Sequence, residues 1–389
     1  MSFAKFAQPL LLLILGMSAI ITARPAHAQK ETILHKFRGG SDGETPFGLT
    51  PDGKGNFFGL TGLGGVDGYY GTVFELSPSG KGWKETVIYR FTGGADGAFP
   101  LNATVTFDSW GNFYGTTFEG GANNLGTVFE FSPTGSGWTE TVLYSFTGGA
   151  DGRYPQYNLI MDLSGNLYGS SGHIFELTPS GNGWKLQVIY SGGSYGLTMD
   201  AVQNIYGVNQ STAFELSPDG NGGWTPTVLH KFGSYVQGYF PMGGPILDKA
   251  GNLYGTASEG GAFGYGTVYK LTPRKKTGPW TLTVLYSFTG GKDGGVPLWP
   301  LVFDAAGNIF GVTDDDGELG IGTVFELEAP VGKGSYQEKT LWDFNGTDGG
   351  APGGGVVLDS AGNLYGATDN GGLQCPDDFA CGVAFEITP

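Results

Sequence analysis

One phrase, D-x-x-G-N followed by an apolar residue, an aromatic and glycine, returns seven times along this chain and limits the folds open to it more than any other feature. Its aspartates are Asp52, Asp108, Asp162, Asp200, Asp248, Asp304 and Asp359, and only the fourth copy, QNIYG at 203, departs from the G-N start. Two further phrases accompany it in fixed order. GTVFEL or a close variant stands at 71, 126, 266 and 322, with worn forms HIFEL at 173, TAFEL at 212 and GVAFEI at 382. VLYSF or a relative stands at 87, 142, 188, 228, 284 and 341, and an orphan copy, ILHKF at 33, precedes the first complete unit.

Each phrase is short, β-branched or aromatic, and bounded by Gly, Pro, Asn or Asp, which reads as a strand. A fourth strand precedes each aspartate, as in PLVFD ending at Asp304. Four strands in a repeat of 38–56 residues make a propeller blade. No segment has a helical period. The chain ends directly after the third strand of its seventh unit, so the orphan strand supplies the missing fourth, residues 31–37 pairing with 382–388. The fold expected is all-β, a seven-bladed β-propeller with four-stranded blades, the N-terminal strand closing the last. The blades span approximately 46–91, 100–146, 155–190, 195–232, 241–288, 297–344 and 352–388. Closure removes the free sheet edges of a linear array. Stacked units also let the chain exceed the roughly 250–300 residues that one core sustains.

The first residues have another grammar. Lys5, an apolar run from Pro9 to Ile21 and the small-x-small site Ala26-His27-Ala28 form a secretory signal, with cleavage after Ala28. The run is too short for a comfortable membrane span. The expectation is an exported protein of the periplasm or medium, monomeric, with no membrane span after cleavage. The chain has 20 basic and 36 acidic residues, and losing Lys5 and Arg24 makes it more acidic still. Such a chain repels phosphate backbones, which argues against nucleic acid as a partner. Cys375 and Cys381, the two cysteines, lie close together in CPDDFAC, and an oxidising compartment would join them as a disulfide stapling one loop. The 73 glycines fall at fixed offsets beside aromatic residues, as turn punctuation does.

The order GNLYG, GTVFEL, W…TVLYSF and FTGGADG…P resembles the GloVer tandem-repeat proteins of exported bacterial origin, over essentially the whole mature chain. The resemblance implies no established enzymatic activity and no catalytic residues.

Loops divide between two faces. The D-x-x-G-N turns share one face with the SPTGSGW-type loops and read as structural hairpins, their aspartates accepting backbone N–H bonds. The opposite face carries between-blade loops F-x-G-G-x-D-G-x-x-P, which contribute Asp42, Asp96, Asp151, Asp293 and Asp348. These are turn caps or, on a sharper reading, a ring of carboxylates for a cation or a polyhydroxylated ligand. The same face has long loops between strands two and three in blades 1, 2, 5, 6 and 7. They hold Tyr69 and Tyr70, the acidic run Asp314, Asp315 and Asp316, and the disulfide. The run is a fragment of a calcium loop, so calcium is the cofactor to consider, though the full ligand spacing is missing. Blades 3 and 4 lack long loops, which leaves an open groove on one side of that face, and binding usually resides in such loop variation.

Catalytic signatures are scarce. GGSYG at 192–196 matches G-x-S-x-G but lies between two propeller strands, not at a strand–elbow–helix. His35 and His230 occupy the aromatic position of the outer-strand phrase, His173 opens a worn strand, and none has a partner by spacing. Trp83, Trp138, Trp184, Trp224 and Trp280, with Tyr336, recur regularly and read as blade packing. The function expected is therefore non-enzymatic binding or scaffolding of a protein or glycan on the loop-rich face. The alternative is a metal-assisted polysaccharide lyase or hydrolase that uses rim carboxylates and Tyr70.

Overall fold

A computed structural model describes residues 29–389 except 67–68, 182, 275–277, 374 and 376–380; the signal segment 1–28 lies outside the described residues. Seven antiparallel sheets follow one another along the chain, and no α-helix occurs among the described residues. Blade 2 shows the pattern, with strands Thr106–Phe107, Phe113–Thr117, Thr127–Thr134 and Gly137–Ser145 running from inside to outside. In blades 1, 5 and 7 the inner strand is broken in two, as at Gly350–Pro352 and Val357–Leu358. The seventh sheet closes the ring: Lys30–Lys36 pairs antiparallel with Val383–Thr388, so the orphan strand becomes the outer strand of the last blade. The seven-bladed propeller with N-terminal closure is thus the fold of this chain.

The hydrophobic core is not one mass but seven clusters, each shared by two adjoining blades. Leu60 and Val73 of blade 1 meet Phe113, Phe129 and Phe131 of blade 2. Phe344 of blade 6 meets Phe385 of blade 7, and Leu34 of the closing strand and Phe37 just after it join Phe74 of blade 1. Outer-strand tryptophans join the same seams, Trp224 lying edge-on to Tyr168 of the preceding blade at 5.7 Å and Trp184 to Tyr114 at 6.4 Å.

The repeated glycines have two separate causes. The last glycine of the D-x-x-G-N phrase faces the aromatic of GTVFEL across the ladder, Gly115 opposite Phe129 and Gly311 opposite Phe325. A Cβ on Gly115 would stand 2.5 Å from the Phe129 ring, and one on Gly311 would stand 2.6 Å from Phe325. The glycine opening GTVFEL is pressed by the proline that starts the next blade: Pro155 Cδ would lie 2.5 Å from a Cβ on Gly126, and Pro46 Cδ 2.6 Å from one on Gly382. That last contact carries the pattern across the ring closure.

Candidate functional site

The hairpin aspartates are fully engaged within their own turns. Asp248 Oδ1 accepts the backbone N–H groups of Ala250 and Asn252, each at 2.9 Å. Its Oδ2 accepts the Asn252 amide at 2.7 Å and the Tyr254 hydroxyl at 3.1 Å. Asp52, Asp108, Asp162, Asp200, Asp304 and Asp359 repeat the arrangement, without the tyrosine bond where the aromatic is Phe58 or Phe310. Burial would raise Asp248 and Asp359, but bonds from the turn outweigh it and hold both below the usual carboxylate range.

The between-blade aspartates are engaged as well. Asp96 accepts Thr92 N–H at 2.8 Å and the Tyr89 hydroxyl at 3.1 Å, and Asp151 accepts Thr147 N–H at 2.8 Å and the Tyr144 hydroxyl at 3.0 Å. Asp293 does the same with Thr289 and Tyr286, while Asp348 takes the backbone and amide of Asn345. None of the four is among the residues lining the central cavity. The signal for this role was present in the sequence as the spacing Y-x-F-T-x-x-x-D, in which the tyrosine of the outer-strand phrase precedes its aspartate by seven.

Other singled-out residues separate. Tyr69 is 64% exposed, whereas the Tyr70 ring packs over Gly93 and lies 6.1 Å from Phe99. Leu125 and Tyr265 cover Gly148 and Gly290 in the same way, so position 70 belongs to the repeat. In the acidic run Asp315 is exposed, and Asp316 has a left-handed backbone (φ 62) where blades 1, 2, 5 and 7 place Gly64, Gly120, Gly260 and Gly371. Asp314 is half-buried; burial first, then Asp315, pushes it up to about 6. At the same point in blade 7, Asp369 is pushed up to about 8 by burial and then by Asp314, and its Oδ1 has no hydrogen-bond partner. Cys375 and Cys381 are joined in a disulfide.

Two concave regions meet on the loop-rich side. A central cavity of about 460 Å³ is walled by the inner strands, with Leu49, Val105, Met242, Trp299 and Leu301 among its apolar lining. Beside it, above the short two–three connections of blades 3 and 4, lies a groove of about 420 Å³. It is lined by Tyr154, Tyr157 and Tyr195 together with Gln156, Asn209 and Gln210. Tyr157 and Tyr195 line both regions, their rings edge-to-face at 5.8 Å. Tyr154 stacks on Phe118 at 4.7 Å, with the Arg153 guanidinium over its ring at 5.4 Å. On the next blade Tyr235, Tyr239 and Phe263 are exposed.

Backbone strain marks this groove. Left-handed residues precede the first proline of six blades, Tyr154 among them, so that strain is structural. Tyr157 adds a second positive φ, 69, inside the inner strand Gln156–Met161, where the register slips between Gln156 and Ile160; Asn102, also two residues after a proline, takes φ 53 in blade 2, and blade 3 differs in placing a bulky aromatic there. The serine of GGSYG gives no nucleophile. Ser194 is buried, its hydroxyl lying 2.7 Å from the Gly196 carbonyl and 2.9 Å from that of Val208.

A family model for the Gloeobacter/Verrucomicrobia repeat matches residues 16–208 and again 186–389. Among solved structures, virginiamycin B lyase from Staphylococcus aureus is similar at 13% identity with a TM-score of 0.57, covering 93% of this chain and 99% of that one. A streptogramin B lyase, at 14% identity and TM-score 0.56, covers 92% and 97%. YCF48 bound to D1 peptide, at 12% and 0.51, covers 94% and 97%. Identities this low establish the fold alone. No curated protein sequence matches.

Proposed function

The chain belongs to the Gloeobacter/Verrucomicrobia repeat family, and we propose that it is an exported, non-enzymatic binding propeller whose ligand is a neutral glycan. The ligand lies in the groove over blades 3 and 4 and reaches the mouth of the central cavity. One observation carries this reading: among the described residues, neither region is lined by any Asp, Glu, His, Lys or Arg, while the groove combines three tyrosines with three side-chain amides. Sugars offer apolar C–H faces that pack on aromatic rings and hydroxyls that pair with amides, so this lining suits them. The lyase or hydrolase reading calls for rim carboxylates, and none lines either region; tyrosine is the one titratable type in the groove. Export is supported by the leader sequence and by the disulfide, which persists in oxidising compartments. Among the described residues no helix is long and apolar enough to cross a membrane.

Binding of the mature chain to an array of neutral and anionic oligosaccharides, followed by calorimetry on the best neutral hit, tests the reading. Tyr157→Ala and Tyr195→Ala should each weaken binding about tenfold or more, the scale of a lost stacking contact. Tyr69→Ala should leave it unchanged. Retained affinity in both groove variants, or capture of a protein ligand with no glycan bound, would count against it.

A further inference from the structure

At two seams the repeat brings three side chains together: the outer-strand tyrosine, the between-blade aspartate, and a glutamate on the outer strand of the following blade. Tyr89, Asp96 and Glu140 form one such set, and Tyr286, Asp293 and Glu338 another. At the seam where the ring closes, the set is His35, Asp42 and Glu85, with histidine in place of tyrosine. His35 comes from the closing strand, Asp42 from the first between-blade loop, and Glu85 from the outer strand Gly82–Arg90 of blade 1. One nitrogen and two carboxylate oxygens from these side chains lie within 4.8 Å of one another. His35 Nε2 stands 3.1 Å from Asp42 Oδ2. Ligand atoms on a four-coordinate zinc ion, at bonds of about 2.0–2.2 Å, stand roughly 3.3 Å apart, close to the separation that His35 and Asp42 already have.

Glu85 brings to this set an oxygen free to bind: its Oε1 is shut off from solvent and has no hydrogen-bond partner, as is also true of Oε1 of Glu31 and Glu140 at seams that lack the histidine. An acceptor buried without a donor is costly unless a proton or a cation meets it. Tyrosine at the other seams can only donate to its aspartate. Histidine adds a nitrogen lone pair, which turns a hydrogen-bonded turn into a mixed N,O,O donor set. Such a set suits zinc and neighbouring divalent transition metals better than calcium, which takes oxygens.

We propose that His35, Asp42 and Glu85 form a site for a zinc-class divalent cation that clamps the N-terminal strand to blade 1 at the ring closure. Three protein ligands from a half-buried position leave a fourth for water. The test uses the mature chain, stripped with chelator, with Tm and calorimetric binding followed as zinc chloride is added. Wild type should bind one zinc saturably and gain several degrees in Tm. His35→Tyr installs the residue that other seams carry, so it should keep the fold and the bond to Asp42 yet lose both responses. Glu85→Gln should weaken binding tenfold or more. Absence of a saturable response in wild type, or an equal response in His35→Tyr, overturns the site; a circular dichroism spectrum like that of wild type confirms that His35→Tyr is a fair comparison.

Discussion

Gln203 breaks the repeated phrase at the scale of one residue, and it does so at a strained backbone. Six copies place glycine there, with φ between 78 and 102, and Gln203 adopts φ 70 in the same turn. Side chains in that region cost about 1–3 kcal/mol, offset in part by glycine's greater freedom when unfolded. Gln203→Gly should therefore stabilise the protein by about 1 kcal/mol in urea unfolding. Gly311→Ala should do the reverse, because its methyl would meet the Phe325 ring at 2.6 Å with no positive φ involved. Overpacking of this kind costs about 1–3 kcal/mol. If Gly311→Ala proves neutral, steric fit to the facing aromatic is not why the repeat ends in glycine. The two glycines of one five-residue phrase thus answer to different physics, backbone conformation at the first and ring packing at the last. The recurrence was plain from the sequence; the difference was not, because the ring that fills the space belongs to another strand.

Among elements, the closing strand has the largest consequence. Lys30–Lys36 covers the Val383–Thr388 edge and contributes Leu34 to the cluster between blades 7 and 1. Deleting residues 29–36 should expose that edge and leave the seam half-built, and uncovered edges invite pairing between chains. The expected outcome is self-association on size-exclusion chromatography with a broadened, lowered thermal transition, partly reversed by a peptide of residues 30–36. A truncated chain that stayed monomeric with an unchanged Tm would show that the strand is dispensable. This element was legible from a count alone, one orphan strand against one unit, the seventh, that lacks its fourth. Its bulge between Ile33 and His35, which sets where the histidine points, was not.

Over the whole molecule the seams set a pH response. Glu31, Glu140 and Glu338 are each pushed up to about 7, by burial first, and Asp348, Asp96 and Asp293 respectively add to the shift. Asp369 is pushed up to about 8. A carboxyl whose pKa is higher folded than unfolded binds its proton more tightly in the native state. Its contribution is complete in the ordinary carboxylate range and is lost as pH rises through the folded pKa. Between about pH 5 and pH 8 the Tm should therefore fall, measured with chelator present. Replacing the three glutamates by glutamine should flatten that slope. A Tm that rises toward pH 8 would refute the assignment.

The sequence by itself determined the architecture: blade number, strand order, ring closure, family and the position of the shallow side over blades 3 and 4. All of these are periodic, and periodicity survives in one dimension. Tertiary structure decided what the aspartates do and where a ligand can sit. The loop aspartates find their tyrosines seven residues upstream, a spacing that acquires meaning only once the strand has turned. Tyr157 and Tyr195 belong to no repeated phrase, and they come together because the inner strands of blades 3 and 4 converge on the axis without a long loop above them. A departure from the repeat is silent in the sequence until its neighbours from other blades are in place.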